Sequence, residues 1–201
     1  MSQTQTHWRA KLLPALFILS TSLATAESID RPAVKVGDRW KYETRDGFSN
    51  QITAETERII TGISETRIEA TENGSPATFS HEMNIIENPE LRIEPTYAAL
   101  KFPFEPGSKW SWGGTIYVKS TGTTLRNQYE VKVAGQERVA VKAGSFDTYK
   151  FVMEGYISTD TTRSYTRTYW YSPQARGFVK VINDDRRNAW KMELLEISLQ
   201  Q

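Results

Sequence analysis

The feature that most constrains this chain is the period-two alternation across residues 135–149, Gly-Gln-Glu-Arg-Val-Ala-Val-Lys-Ala-Gly-Ser-Phe-Asp-Thr-Tyr. Val139 and Val141 share one face, with Arg138, Ala140 and Lys142 on the other, which is the signature of a half-buried strand. Ala143-Gly144 reads as a tight turn, with the glycine supplying backbone freedom that a β-branched residue lacks. The return strand is Tyr149-Lys150-Phe151-Val152-Met153, and Phe146 just past the turn can cap the open edge of a core. No reactive group lies in this stretch. It is a building plan for a β-protein.

The same signals recur along the chain. Trp40, Tyr42 and Thr44 share a face; Asp46-Gly47, Thr61-Gly62 and Asn73-Gly74 read as turns. Phe79, His81, Met83 and Ile85 form another apolar face, and Asn88-Pro89 and Glu94-Pro95 then break the pattern. Residues 97–100 fit either one helical turn or an edge strand. Tyr129, Val131 and Val133 alternate, as do residues 163–171, and residues 172–177 turn the chain back. Residues 183–188 form a charged turn. At Leu194-Leu195 the apolar face switches to Leu195, Ile197 and Leu199, as a β-bulge does. Gly113-Gly114 reads as a further bulge, and Gly155 as extending or bulging its strand. This predicts roughly nine to twelve strands with little helix: an all-β antiparallel fold.

One pattern occurs twice. Gly37-Asp38-Arg39-Trp40-Lys41-Tyr42 and Gly107-Ser108-Lys109-Trp110-Ser111-Trp112 both read glycine, two polar residues, tryptophan, a polar residue and a second aromatic. A duplicated β-meander would produce this repeat, and so would coincidence.

Residues 1–26 have the form of a secretory signal peptide. Arg9 and Lys11 precede an apolar run over 12–23, and Ala24-Thr25-Ala26 offers a cleavage site after Ala26. The expectation is a single all-β domain over 27–201, periplasmic or secreted, with no stable membrane span after cleavage. The absence of cysteine excludes both a disulfide framework and a lipidated N-terminal cysteine. Without Arg9 and Lys11 the chain carries 23 basic and 24 acidic residues, a balance that argues against nucleic acid as a partner.

The stretch at 135–149, the later Tyr169-Trp170-Tyr171-Ser172-Pro173 with Gly177-Phe178-Val179-Lys180, and the Gly-x-x-Trp openings together resemble a signature of uncharacterised exported bacterial β-proteins. The resemblance implies a curved antiparallel sheet or half-barrel, similar to periplasmic lipoprotein carriers, around an apolar cavity. It brings no catalytic residues with it.

Catalytic chemistry finds little support. His81 is the one histidine beyond the signal peptide and has no cysteine or second histidine to complete a metal site, so a core or rim position is expected. Asp184-Asp185 is an adjacent carboxylate pair, but neighbours on a strand point to opposite faces, and Asn183, Arg186 and Arg187 suggest an exposed, solvated turn. Replacing both with asparagine should change stability by less than about 1 kcal/mol. Glu137 and Asp147 bracket the hairpin and suit bonds to turn amides. No enzyme, cofactor or metal is expected. Two binding roles remain. In the first, Trp40, Tyr42, Trp110 and Trp112 hold an apolar or lipid-like ligand against a concave face. In the second, Arg163, Tyr165, Arg167 and Tyr169, which share a strand face with Tyr171, contact an envelope glycan or protein from an outer face or edge strand.

Overall fold

The computed structural model describes residues 28–158, 161–185 and 187–201, so the expected signal peptide lies outside the described residues. Twelve strands follow one another: β1 (Arg39–Asp46), β2 (Ile52–Ile63), β3 (Ile68–Glu72), β4 (Ser75–Phe79), β5 (Ile85–Glu87), β6 (Leu91–Glu94), β7 (Lys109–Val118), β8 (Thr123–Val141), β9 (Gly144–Ser158), β10 (Thr162–Ser172), β11 (Gly177–Asp184) and β12 (Trp190–Ser198). Each pairs antiparallel with its neighbour in sequence, and β1 also pairs with β12, from Arg39↔Ser198 to Asp46↔Trp190. The all-β antiparallel expectation holds. The half-barrel does not: the first and last strands satisfy each other's backbone groups, so the sheet closes and has no edge strand.

A barrel of about eight strands is just wide enough for its side chains to fill it, so twelve leave a lumen that needs extra material. The loop at 95–108, between β6 and β7, supplies it. Its Tyr97, Ala99, Leu100 and Phe104 are buried among inward residues of β8–β11, including Val131, Val133, Phe151, Met153 and Tyr171. Aromatic pairs of Phe104 with Phe151 and Tyr149, at centroid distances of 4.9 and 5.1 Å, fix the loop edge-on. Asn84 grips it by both backbone groups of Leu100, donating to the carbonyl at 2.7 Å and accepting from the N–H at 2.9 Å. Residues 97–100 are therefore neither a helical turn nor an edge strand. They are a plug.

The two Gly-x-x-Trp openings have the same local geometry. Gly37 and Gly107 have φ of 90° and 93°, a region that favours glycine. Gly37 N–H donates to Ile60 O and Ile60 N–H returns to Asp38 O; Gly107, Val133 and Ser108 repeat the exchange. The openings start β1 and β7, which splits the barrel into halves of six strands each. At the first, Asp38 is fully buried and takes Arg176 at 2.8 Å and the Gln200 N–H at 2.7 Å, tying the chain's end to the β10–β11 turn.

Other boundaries differ from expectation. The central hairpin turns at Lys142-Ala143, with Gly144 paired to Val141, and it docks on β12 through Ala143 N–H to Leu194 O at 3.2 Å. Thr61-Gly62 is not a turn but part of β2, at a register shift. Gly113 and Gly114 sit in unbroken β7–β8 register and form no bulge, whereas Gly155 does extend β9, the first of its two readings. The Leu194-Leu195 switch is a register shift opposite Lys41-Tyr42, as read. His81 lies in the β4–β5 turn, its Nε2 3.1 Å from Glu65 O, and not on an apolar strand face. Glu137 accepts the Trp170 indole N–H and faces Lys150, and Asp147 pairs with Arg138; neither binds turn amides.

Candidate functional site

The lumen is dry at one end and polar at the other. On β8 the inward residues Val133, Val131 and Tyr129 are buried, while Leu125 near the opposite end is half-buried. On β10, Tyr171, Tyr169 and Tyr165 are buried, whereas the two arginines that alternate with them towards the open end, Arg167 and Arg163, are half-buried. On β12, Leu194 is buried and Met192 and Trp190 are half-buried. The plug and the buried clusters seal one end. The other end opens towards the β9–β10 and β11–β12 turns.

Arg167 stands where the two meet. Its Nε donates to Asn183 Oδ1 at 2.9 Å, and its Nη1 lies 3.3 Å from Tyr97 Oη and 3.4 Å from Tyr169 Oη. Its guanidinium carbon is 5.4 Å from the centre of the Tyr165 ring and 5.2 Å from that of Trp190, within cation–π range. Among the described residues no carboxylate lies within 4.0 Å of it. Nη2 has no protein acceptor there and is not sealed from solvent.

Around it, Tyr97 packs edge-on against Trp112 at 5.5 Å, and Trp112 stacks on Tyr129 at 5.1 Å. The plug is pinned to this wall: Trp112 Nε1 donates to Thr96 O at 2.9 Å, Trp110 Nε1 to Ala98 O at 2.7 Å, and Ala98 N–H to Tyr129 Oη at 2.9 Å. Two inward glycines make room for the rings. A Cβ on Gly114 would sit 2.6 Å from the Trp112 indole, and one on Gly155 would sit 2.7 Å from the Tyr129 Cβ and 3.0 Å from the Tyr165 ring.

Burial raises the pKa of Tyr97 well above that of a free phenol; burial likewise raises Tyr165 and Tyr129. These hydroxyls stay neutral at pH 7. For Arg167, burial opposes the charge, but the Tyr169 and Tyr97 oxygens outweigh it and raise the pKa, so the guanidinium remains charged.

The expected ligand-binding residues separate into two groups. Trp112, Tyr165, Arg167 and Tyr169 converge here, with Trp110 beside them on the plug and Arg163 at the rim. Trp40 and Tyr42 do not: they are buried at 1% and 3% exposure in a second cluster with Phe79 and Leu194. Trp40 is spent on a bond to Ala175 O at 2.7 Å. The Arg/Tyr face of β10 points inwards, not to an outer surface, because its partners Val181, Phe151 and Met153 are core residues. Asp184 ends β11 and is exposed, whereas Asp185 follows it and is buried. Asp185 is 9% exposed, accepts the Arg187 N–H at 3.0 Å and lies 3.6 Å from Arg163, so the expectation of two solvated carboxylates is corrected.

Sequence reasoning did not find Tyr97, Tyr129, Asn183 and Trp190 as site members. It also missed a cleft of about 1220 Å³ on the outer face of β7–β10, which Gln128, Glu130, Glu154, Tyr156 and Asp184 help to line. There Glu130 and Glu154 are directly opposed across β8 and β9, and among the described residues neither has an ion-pair partner.

No family model and no curated protein matches the chain. Solved structures do. A Bacteroides fragilis protein described as exported and of YmcC-like fold superimposes with a TM-score of 0.57 at 15% identity, over 85% of this chain and 99% of its own. A protein of Parabacteroides distasonis described as a lipoprotein gives 0.57 at 13%, over 84% and 97%. The hypothetical lipoprotein YmcC of Escherichia coli gives 0.51 at 8%, over 81% and 85%. At such identities the likeness is one of fold. The fold is that of exported bacterial β-proteins, as the motif resemblance implied.

Proposed function

We propose that the protein is a non-catalytic binding protein of the extracytoplasmic space, which holds a ligand with an apolar body in the open end of its barrel. The observation that carries this reading is the convergence of Tyr97, Trp112, Tyr129, Tyr165, Tyr169 and Trp190 above the plug, at the end where inward side chains become half-buried. Flat aromatic walls offer large apolar contact at little entropic cost, and the plug gives the ligand a dry floor. Burial moves the Tyr97, Tyr129 and Tyr165 phenols further from neutrality than free tyrosine, so these three are not poised as acids or bases, which favours binding over catalysis. Export is supported by the signal-like residues 1–26 and by the company the fold keeps.

Native mass spectrometry and solvent extraction of protein purified from its own host test this reading, together with displacement of a fluorescent fatty acid. The expected result is a co-purifying amphiphile and saturable displacement that quenches tryptophan fluorescence. Protein that comes out empty and displaces nothing would sink it.

A second reading rests on the outer cleft. Its exposed Tyr156 and the Glu130 and Glu154 that oppose each other across β8 and β9 suit an envelope glycan, through stacking and hydroxyl hydrogen bonds. Loss of glycan retention by Tyr156→Ala with the lumen unchanged would favour it over the first.

A further inference from the structure

Three arginines that point into the barrel can be compared, Arg58 beside the sealed cluster and Arg163 and Arg167 towards the open end, and they are not equivalent. Arg58 on β2 reaches Glu72 Oε1 through Nη2 at 2.6 Å and Nε at 3.0 Å, and Asn88 holds the other Glu72 oxygen at 3.0 Å. Arg163 at the rim faces Asp185 at 3.6 Å. Arg167, deeper than Arg163 on the same strand, faces among the described residues only neutral oxygens, from Asn183, Tyr97 and Tyr169. A guanidinium taken partly out of water without a carboxylate is costly, and its Nη2 has no protein acceptor among the described residues. Asn183 is itself fixed from behind by its Nδ2 bond to Asn188 O at 2.7 Å, so the fork is held in one orientation.

We propose that Arg167 is an anion site, and that the ligand of the barrel carries a carboxylate, phosphate or sulfate group on its apolar body. This rests on the lumen-binding reading above and names the chemistry of its polar end. The free Nη2 hydrogens take one oxygen of the anion, with Tyr97 and Tyr169 placed to turn their hydroxyls towards it, while Tyr165 and Trp190 flank the guanidinium and shield the pair from water. The body of the ligand then lies along Trp112 and Tyr129. No bond is made or broken.

The test is displacement of a fluorescent fatty acid by decanoate, decanol and inorganic phosphate, with intact protein and with Arg167→Gln and Arg167→Lys. Decanoate should bind about tenfold or more tighter than decanol, the scale of a hydrogen bond to a charged group. Arg167→Gln should remove that preference, bringing decanoate down to the affinity of decanol, and Arg167→Lys should keep part of it. Equal binding of decanoate and decanol by the intact protein would overturn the anion site and leave the lumen-binding reading standing. Binding of phosphate with decanoate inert would support the anion site and sink the apolar body. Binding of none of the three would overturn both. The intact protein's preference decides even where a variant fails to fold.

Discussion

Arg58 and Arg167 point into the same barrel and are treated in opposite ways. Arg58 has a fixed carboxylate, Glu72, itself buried and held by Asn88, and its guanidinium also lies over the rings of Phe79 and Tyr42 at 4.4 and 5.8 Å. Arg167 has the aromatic company and, among the described residues, no carboxylate. The first arrangement is complete within the chain: every strong interaction is used, and removing a partner leaves a buried charge. The second is incomplete, and an incomplete polar arrangement is where a ligand contributes most. One strand-borne arginine thus serves the fold and the other leaves room for something else.

The largest expected effect separates the two surroundings by pH. Burial holds the Tyr97, Tyr129, Tyr165 and Tyr171 phenols around the Arg167 end and plug above their ordinary value, while Tyr42 beneath Arg58 is pushed up to about 12. The folded state therefore binds these protons more tightly than the unfolded chain. Stability is fully present below the unfolded pKa of 10.0 and falls as pH rises through the folded values, by about 1.4 kcal/mol per pH unit for each tyrosine. Thermal melts across the alkaline range, read alongside tyrosinate absorbance, should show unfolding and ionisation together. Ionisation well before unfolding would mean that the phenols are open to water.

Next in size, Glu72→Ala should turn Arg58 into a second unpartnered arginine and cost about 3–5 kcal/mol by chemical denaturation, as loss of one partner of a buried pair does. A cost under about 1 kcal/mol would erase the contrast between the two sites. Asp185→Asn is expected to cost about 1 kcal/mol, since it weakens the pairing with Arg163 and the turn bond to Arg187, whereas Asp184→Asn should stay within about 0.5 kcal/mol. Equal effects would return Asp185 to the solvated turn first expected of it. Arg167→Gln should also be mild, within about 1 kcal/mol, because the charge it removes is uncompensated. A cost comparable to Glu72→Ala would make Arg167 a structural residue.

The fold was legible where local chemistry acts alone. Asn73-Gly74 is a hairpin with both residues at positive φ, 50° and 81°, and the Gly37 and Gly107 openings share one backbone geometry. What escaped was set by closure and filling. Alternation says that Arg167 and Tyr169 share a face, but not whether that face looks out or in; that depends on β1 meeting β12, which no local pattern encodes. The plug has a run of prolines and aromatics, Pro95, Tyr97, Phe102, Pro103 and Phe104, that marks it as neither strand nor helix, yet its place in the lumen follows from the barrel's width. Trp40 and Trp110 occupy equal positions in a repeated motif, and only the three-dimensional neighbours decide that one supports the floor of the site and the other a sealed core. Gly114 and Gly155 were the overlooked signal: inward glycines in long strands mark places where rings must come close.

The strictly sequential order of the strands has a kinetic consequence. Every strand pair of the barrel but one joins neighbours along the chain, and the exception, β1 with β12, spans nearly the whole barrel. Loop-closure entropy opposes that contact until the intervening strands have zipped together. The seam should therefore form late, after the last strand is available, and interactions across it should slow unfolding more than they speed folding. Until the seam is made, β1 and β12 are two bare edges of one nascent sheet, which makes the interval between emergence and closure the chain's most aggregation-prone moment.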